Sequence, residues 1–167
     1  PVEVKSSFTF EDGTMIRAEE SPKESLMEDR HVSAIAHKEA VMRYCLELDD
    51  KTVDLLKIWH HEIFKIVGLE HSLELYVETK YESEIDHLLG QESISPISKE
   101  DGIGFVILVG LGLAADPAFV ATVVQSCKGM GLKRISHSER SLELMLPAEN
   151  VAETVRILHH ELIGDKP

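Results

Sequence analysis

Ser72-Leu-Glu-Leu75 returns 69 positions later as Ser141-Leu-Glu-Leu144. Laid over one another at that offset, residues 62–75 and 131–144 agree at six of fourteen positions: Ile66 with Ile135, Glu70 with Glu139, and the four-residue block. In both places a helix-like stretch precedes the alternating run and a second capped helix follows it. Solenoids need three or more stacked copies, so one repeat of this length reads as two similar units. The chain is therefore expected to be a duplicated α+β module whose halves lie flank to flank, with a site at their junction. A single undivided layer of strands, or halves that do not correspond, would count against that reading.

The 167 residues suit two units of about 70 residues each, small enough to lean on one another or on a second copy. Hydrophobic content of 43% is that of a globular protein. The formal charge of −13 repels phosphate backbones and acidic lipid, so no nucleic-acid and no membrane partner is expected. The densest basic group is only Lys128 with Lys133-Arg134. Cys45 and Cys127 sit in apolar stretches and read as reduced core thiols. With neither a membrane-length apolar run nor a signal peptide at its start, the chain is expected to be cytoplasmic.

Along the chain, residues 2–10 alternate as a strand, residues 11–14 turn, and the charged stretch 17–29 reads as a linker. Residues 31–36 form a spare strand. In the first unit, residues 40–48 alternate, Asp49-Asp50 cap a helix with Val53, Leu56 and Trp59 inward, and residues 63–67 and 72–79 form a hairpin. Ser83-Glu-Ile-Asp86 resembles a capping box, and residues 93–99 read as an edge strand, where Pro96 is tolerated. In the second unit, residues 105–109 form a buried strand, and Pro117 opens a helix whose inward face includes Phe119, Val123 and Cys127. Residues 132–136 and 142–146 then pair, and Asn150-Val-Ala-Glu153 caps a last helix.

Each unit reads β-α-β-β-α-β, the ferredoxin-like order. The second unit runs out of chain before its sixth element, and an uncovered sheet edge is usually filled. Residues 31–36 are the available donor, so the first unit is expected to be inserted into the second. The division is residues 1–30 as strand and linker, 31–36 as donated strand, 37–100 as first unit and 101–164 as second.

Pro1-Val-Glu-Val4, Gly13-Thr14-Met-Ile16 and Val32-Ser-Ala-Ile35-Ala36 look like the segment joining kinase and regulatory parts of aspartokinases. Val106-Ile-Leu-Val-Gly110 with Asp116-Pro117, then Ile135-Ser136-His137-Ser138-Glu139, then Leu158-His159, resemble their second ACT unit in order and spacing. The resemblance spans essentially the whole chain. It implies tandem ACT domains that form the regulatory and dimerisation region of aspartate kinase. The kinase itself would lie upstream, with residues 1–30 following it. ATP and magnesium would belong to that part, and no cofactor is expected here. No Gly-rich phosphate loop with a lysine occurs, so this chain alone is expected to turn over nothing.

The partner implied is a free amino acid of the lysine or threonine type, held at ACT–ACT interfaces. Its carboxylate suits open amides at a helix N-terminus, and its ammonium suits a carboxylate. The helix-opening segments are Asp49, Asp50, Lys51, Thr52 and Val53, and Asp116, Pro117 and Ala118. Opposing residues are Val67, Gly68 and Leu69, and Ser136, His137, Ser138 and Glu139. The chain departs from the family in having Ala118 after the proline and Lys51-Thr52 in place of Pro-Gly. Two alternatives stand beside this reading: a free-standing ACT sensor, and a structural dimerisation module without a ligand. Trp59-His-His-Glu62 and Leu158-His-His-Glu161 invite a metal, but adjacent helix residues point about 100° apart and do not chelate together. No metal site is expected.

Overall fold

A computed structural model describes residues 2–4, 14–16, 32–59 and 63–164. Residues 1–30 form a compact unit of their own. Its described part is the antiparallel pair β1 (Val2–Val4) and β2 (Thr14–Ile16), with Val2 opposite Ile16. The remaining strand and linker expectations for residues 5–31 lie outside the described residues.

The unit from residue 31 onward is built on β3 (Ala34–Glu47), α1 (Asp50–Ile58), β4 (Ile63–Gly68), β5 (Ser72–Glu78) and α2 (Glu82–Gln91). It continues with β6 (Ser98–Val109), α3 (Pro117–Ser126), β7 (Arg134–His137), β8 (Ser141–Pro147) and α4 (Val151–Leu158), which runs into a π turn at His159–Ile163. The strands form one antiparallel sheet in the order β4-β5-β3-β6-β8-β7. This is a correction, because the halves were expected to lie flank to flank and not as a single undivided layer of strands. β3 and β6 are each continuous where the sequence suggested two short strands, and they pair along almost their whole length, from Ala34 opposite Val109 to Cys45 opposite Ser98. Residues 34–36 thus sit beside Ile107, Leu108 and Val109 in the second half.

Within the undivided sheet the two halves correspond strand for strand. Adding 62 to β3 and 69 to the hairpin numbers carries one ladder onto the other. Leu46 opposite Leu73 becomes Leu108 opposite Leu142, and Ile66 opposite Leu75 becomes Ile135 opposite Leu144. The Val41–Ile103 pair maps onto itself, so it lies on a pseudo-two-fold axis at the centre of the sheet. The seven extra residues of the second half are taken up around α3, chiefly in its entry loop.

The period of two along each strand sends alternate side chains to opposite faces. One face carries the helices. Met42, Tyr44, Leu46, Leu73, Leu75 and Val77 meet Leu55, Ile85 and Leu89 in the first half. Val106, Leu108, Leu142, Leu144 and Leu146 meet Val123, Val151 and Leu158 in the second. Each fully buried aliphatic side chain there contributes about 1.5–3 kcal/mol. The inward face of α1 is Thr52, Leu55, Leu56 and Trp59; Val53, expected inside, is 41% exposed because it falls outside that arc.

Two capping expectations are also corrected. α2 begins at Glu82, so Ser83 lies inside it, and Asp86 accepts from the Tyr44 hydroxyl at 2.9 Å and from Lys99 at 2.7 Å. Asn150 precedes α4 without capping it; its side-chain amide donates to the Met130 carbonyl at 3.1 Å, tying α4 to the exit of α3.

The helix-free face holds a third cluster made of strand residues alone: Val41, Tyr76, Ile103, Phe105 and Met145, with Phe64, Val67 and Ile107 against it. Val41 and Ile103 are fully buried although no described helix packs on them. The reason lies in the polar contacts around the cluster. Lys65 on β4 donates to Ser136 on β7 at 2.5 Å and pairs with Glu143 on β8. Arg134 on β7 donates to Glu74 on β5 at 2.5 Å and to the Tyr76 hydroxyl at 2.9 Å. β4 and β7 are the two ends of the sheet order, so these contacts require it to curl until its edges face each other across this side. Glu74 is only 4% exposed and also accepts from Arg43 at 3.1 Å and from Tyr76 at 2.9 Å. Burial raises its pKa, but Arg134, Tyr76 and Arg43 outweigh that and hold the carboxyl below the usual carboxylate range. The Tyr76 hydroxyl is pushed up to about 12 by burial and by Glu74.

Two expected outcomes follow from this packing. At Gly104 an added Cβ would overlap a Val151 methyl and press on the Ala148 backbone at 3.1 Å, so Gly104→Ala is expected to cost about 2 kcal/mol in urea unfolding. Glu74, with its folded pKa depressed below an unfolded value of 4.5, contributes stability that is present above that pH and lost as pH falls through the folded pKa. Glu74→Gln should therefore flatten the fall of the urea midpoint on the acid side of about pH 4.5.

Candidate functional site

Each half places a helix entry beside its own hairpin turn. In the first half only residues 48 and 49 separate β3 from α1. The Thr52 N–H donates to Asp49 Oδ1 at 2.8 Å. The short aspartate side chain thereby satisfies one of the four amides that a helix start leaves open. That bond is the main reason the Asp49 carboxyl lies below its ordinary range. The Leu48 N–H donates to the His71 carbonyl at 3.0 Å, and the Leu69 N–H to the Ser72 carbonyl at 2.8 Å, which lays the turn against the helix entry. Asp50, Lys51, Val53, Gly68 and Leu69 are exposed, Thr52 is buried, and Val67 packs on the helix-free cluster.

In the second half the entry has seven residues, 110–116. The Gly110 N–H donates to the Arg140 carbonyl at 3.0 Å, the counterpart of the Leu48 bond. The loop turns at Gly112, whose φ of 68° is a left-handed conformation that glycine adopts without strain, and it drops Leu113 into the core. Asp116 caps α3 by accepting from the Ala118 N–H at 2.9 Å, with Pro117 at the first helical position. Facing it, the Ser138 and Ser141 hydroxyls lie 2.8 Å apart, the Arg140 N–H donates to Ser138 Oγ at 3.2 Å, and the Gly112 N–H donates to the Glu139 carbonyl at 3.4 Å. His137 is exposed on β7.

Residues 49–53 thus lie beside the 67–71 turn, and the 110–118 entry beside the 138–140 turn. Because β3 and β6 run antiparallel, the two clusters lie at opposite ends of the sheet and the chain does not bring them together. Each helix start can offer amides to a carboxylate. In each half, however, an aspartate of the chain already occupies one of those amides. Ser136 is engaged on the helix-free face, where its hydroxyl accepts from Lys65 and donates to Glu143 at 3.0 Å.

Among the described residues no three His, Cys, Asp or Glu side chains are grouped as metal ligands. His60, His61 and Glu62 lie outside the described residues, and His159 and His160 are exposed on the π turn. Both cysteines are free thiols, and burial, helped by Glu161, pushes Cys127 up to about 11. Among the described residues no helix is long and apolar enough to cross a membrane.

The polar residues that sequence reasoning missed are Lys65, Glu74, Arg134 and Glu143. A signal was present, since the 69-residue offset lays Lys65 over Arg134 and Glu74 over Glu143.

The fold defined by this duplicated, register-matched sheet is that of paired ferredoxin-like ACT units. Among solved structures it is the fold of the aspartokinase regulatory region. The aspartokinase alpha and beta subunit structure superposes with a TM-score of 0.62 at 18% identity, covering 77% of this chain and 96% of that one. The ligand-free regulatory subunit of aspartate kinase from Thermus thermophilus gives 0.64 at 20% identity, covering 78% and 98%. E. coli aspartokinase III in complex with lysine and aspartate, in its T-state, gives 0.61 at 20%, covering 81% of this chain but 34% of that one. The chain therefore matches the Thermus thermophilus regulatory subunit over nearly its whole length and E. coli aspartokinase III over about a third of its own. No family model matches the sequence, and no curated protein does.

Asp116→Ala, and separately Asp49→Ala, should each cost about 1 kcal/mol in urea unfolding through loss of the cap. An unchanged midpoint would show that the cap is not holding the helix entry.

Proposed function

We propose that this chain is a regulatory region of aspartate kinase, which binds an amino-acid effector and through it controls phosphorylation of L-aspartate by ATP in a catalytic domain. The observation that carries the proposal is the fold shared with the regulatory subunits of aspartate kinase from Thermus flavus and Thermus thermophilus over 98% of their length. The lysine and aspartate held by E. coli aspartokinase III favour a small amino acid as the ligand class. Its carboxylate would meet the amides at the start of α1 or α3, and its ammonium the acidic groups nearby, Asp49 and Asp50 or Asp116 and Glu139. A second copy would extend the sheet along β4. Among the described strands the outer backbone edge of β4 is unpaired, although Lys65 ties its side-chain face to β7 and β8, and Leu48, Ile66 and Leu69 are each more than 40% exposed near it. An effector seated where two copies meet would bind one arrangement of the pair better than another, which is the condition for coupling to an attached enzyme.

A second reading is favoured by the self-capped helix starts. With Asp49 and Asp116 already on the first amides, the chain would serve as a dimerisation module without a ligand. Titration with lysine, threonine and the other common amino acids, followed by melting temperature and calorimetry, decides between them. An effector present at one hundred times its dissociation constant is expected to add about 2.7 kcal/mol. Flat heats and an unmoved melting temperature for every amino acid would leave the dimerisation module.

A further inference from the structure

The two contacts that close the helix-free face are copies of one another. Lys65 and Arg134 are equivalent positions, as are Glu74 and Glu143, each pair 69 residues apart. Lys65 of the first half pairs with Glu143 of the second, and Arg134 of the second with Glu74 of the first. The glutamate of the repeated Ser-Leu-Glu-Leu block thus makes the same cross-half bond twice. Arg43 on β3 with Glu100 on β6 and Lys38 on β3 with Glu78 on β5 join neighbouring strands, and Lys133, just before β7, reaches Glu100 on β6 across one strand. The reciprocal pairs instead span from one end of the strand order to nearly the other.

What they close over is apolar. Val41, Tyr76, Ile103, Phe105 and Met145 come from strands alone, so their burial depends on the curl rather than on a helix. Two aromatic contacts lie beneath the bonds, Phe64 to Phe105 with ring centroids 4.9 Å apart and Tyr76 to Phe105 at 5.4 Å. The two arms are unequal. Glu74 is 5% exposed at its side chain and is held by Arg134, Arg43 and Tyr76. Glu143 is 25% exposed and is held by Lys65 and Ser136. A lysine ammonium also lacks the planar fork with which arginine grips a carboxylate.

We propose that these reciprocal ion pairs form a conformational latch. The Lys65–Ser136–Glu143 arm is the weaker and opens first; its release detaches β4, removes one of the two ties on β7 and begins to uncover the apolar face between them, while Arg134 and Glu74 still hold β7 to β5. The latch joins elements far apart in the strand order, so a disturbance at β4 reaches β7 without passing through the four strands between. Two packings of one sheet would be the bistable element that a regulatory region needs. That last step rests on the proposed function; the latch itself does not.

Hydrogen–deuterium exchange of the full 167-residue chain without any ligand tests the latch, so its outcome is independent of effector binding. In Lys65→Met, amides of β4 and also of β7, in the other half, should exchange about tenfold faster, the scale of one charge-assisted bond. An apolar dye should bind the uncovered face. Adding Glu143→Met should bring no further change, and the exchanged pair Lys65→Glu with Glu143→Lys should restore protection at both edges. Faster exchange confined to β4, or additive effects of the two substitutions, would overturn the proposal. If Lys65→Met fails to fold, Lys65→Arg decides: retained protection at both edges upholds the ionic latch, and lost protection refutes it.

Discussion

The antiparallel crossing of β3 and β6 is the constraint on which the rest of the molecule depends. Each strand is long enough to serve both halves, and each half therefore borrows its last strand from the other. The Val41–Ile103 pair at the centre is fully buried and lies where the two sequence copies exchange roles. The register shifts in β3 between Lys38 and Arg43 fall at that point. Irregularities of this kind bend a strand and increase its twist, and here they accompany the curl that brings the sheet's ends together.

Electrostatics then decides how far the curl goes. A chain with a net charge of −13 has few cations to spend, yet Lys38, Arg43, Lys65, Lys133 and Arg134 each reach a glutamate on or beside the helix-free face. Buried charges are tolerable only when paired and hydrogen-bonded, and Glu74, accepting from two arginines and a tyrosine, satisfies that condition. Among the described residues Glu74 is the one buried carboxylate. Apolar strand residues and paired charges together therefore close a face that in a simple two-layer α+β domain would be open to water.

The functional reading draws on this geometry at two levels. The fold, with register-matched halves and helices on one face, is shared with aspartokinase regulatory regions. The helix entries are where such a fold offers backbone donors to an anionic ligand. They are unequal, two residues long in one half and seven in the other, so the duplication of the sheet does not extend to the helix entries.

The duplication and the βαββαβ order of each half were legible in the amino-acid sequence, because alternation along strands and the 69-residue echo are local, additive signals. Residues such as Asp49 and Asp116 could be marked as helix starts for the same reason, since capping acts within one turn. Continuity of β3 and β6 was not legible: Gly104, which reads as a break in β6, leaves room for Val151 on α4 and Ala148 before it, a demand that no local window contains. Nor could side-chain pattern alone show that Ser136 would be held by a lysine 71 residues away, or that the repeated glutamate would bond across the molecule. The sequence by itself determined the elements and their two-fold repetition, because those follow from short-range sterics and hydrophobic periodicity. Only the tertiary structure decided that the elements share one curled sheet, because ion pairs between opposite edges exist only once the strands between them have been laid down.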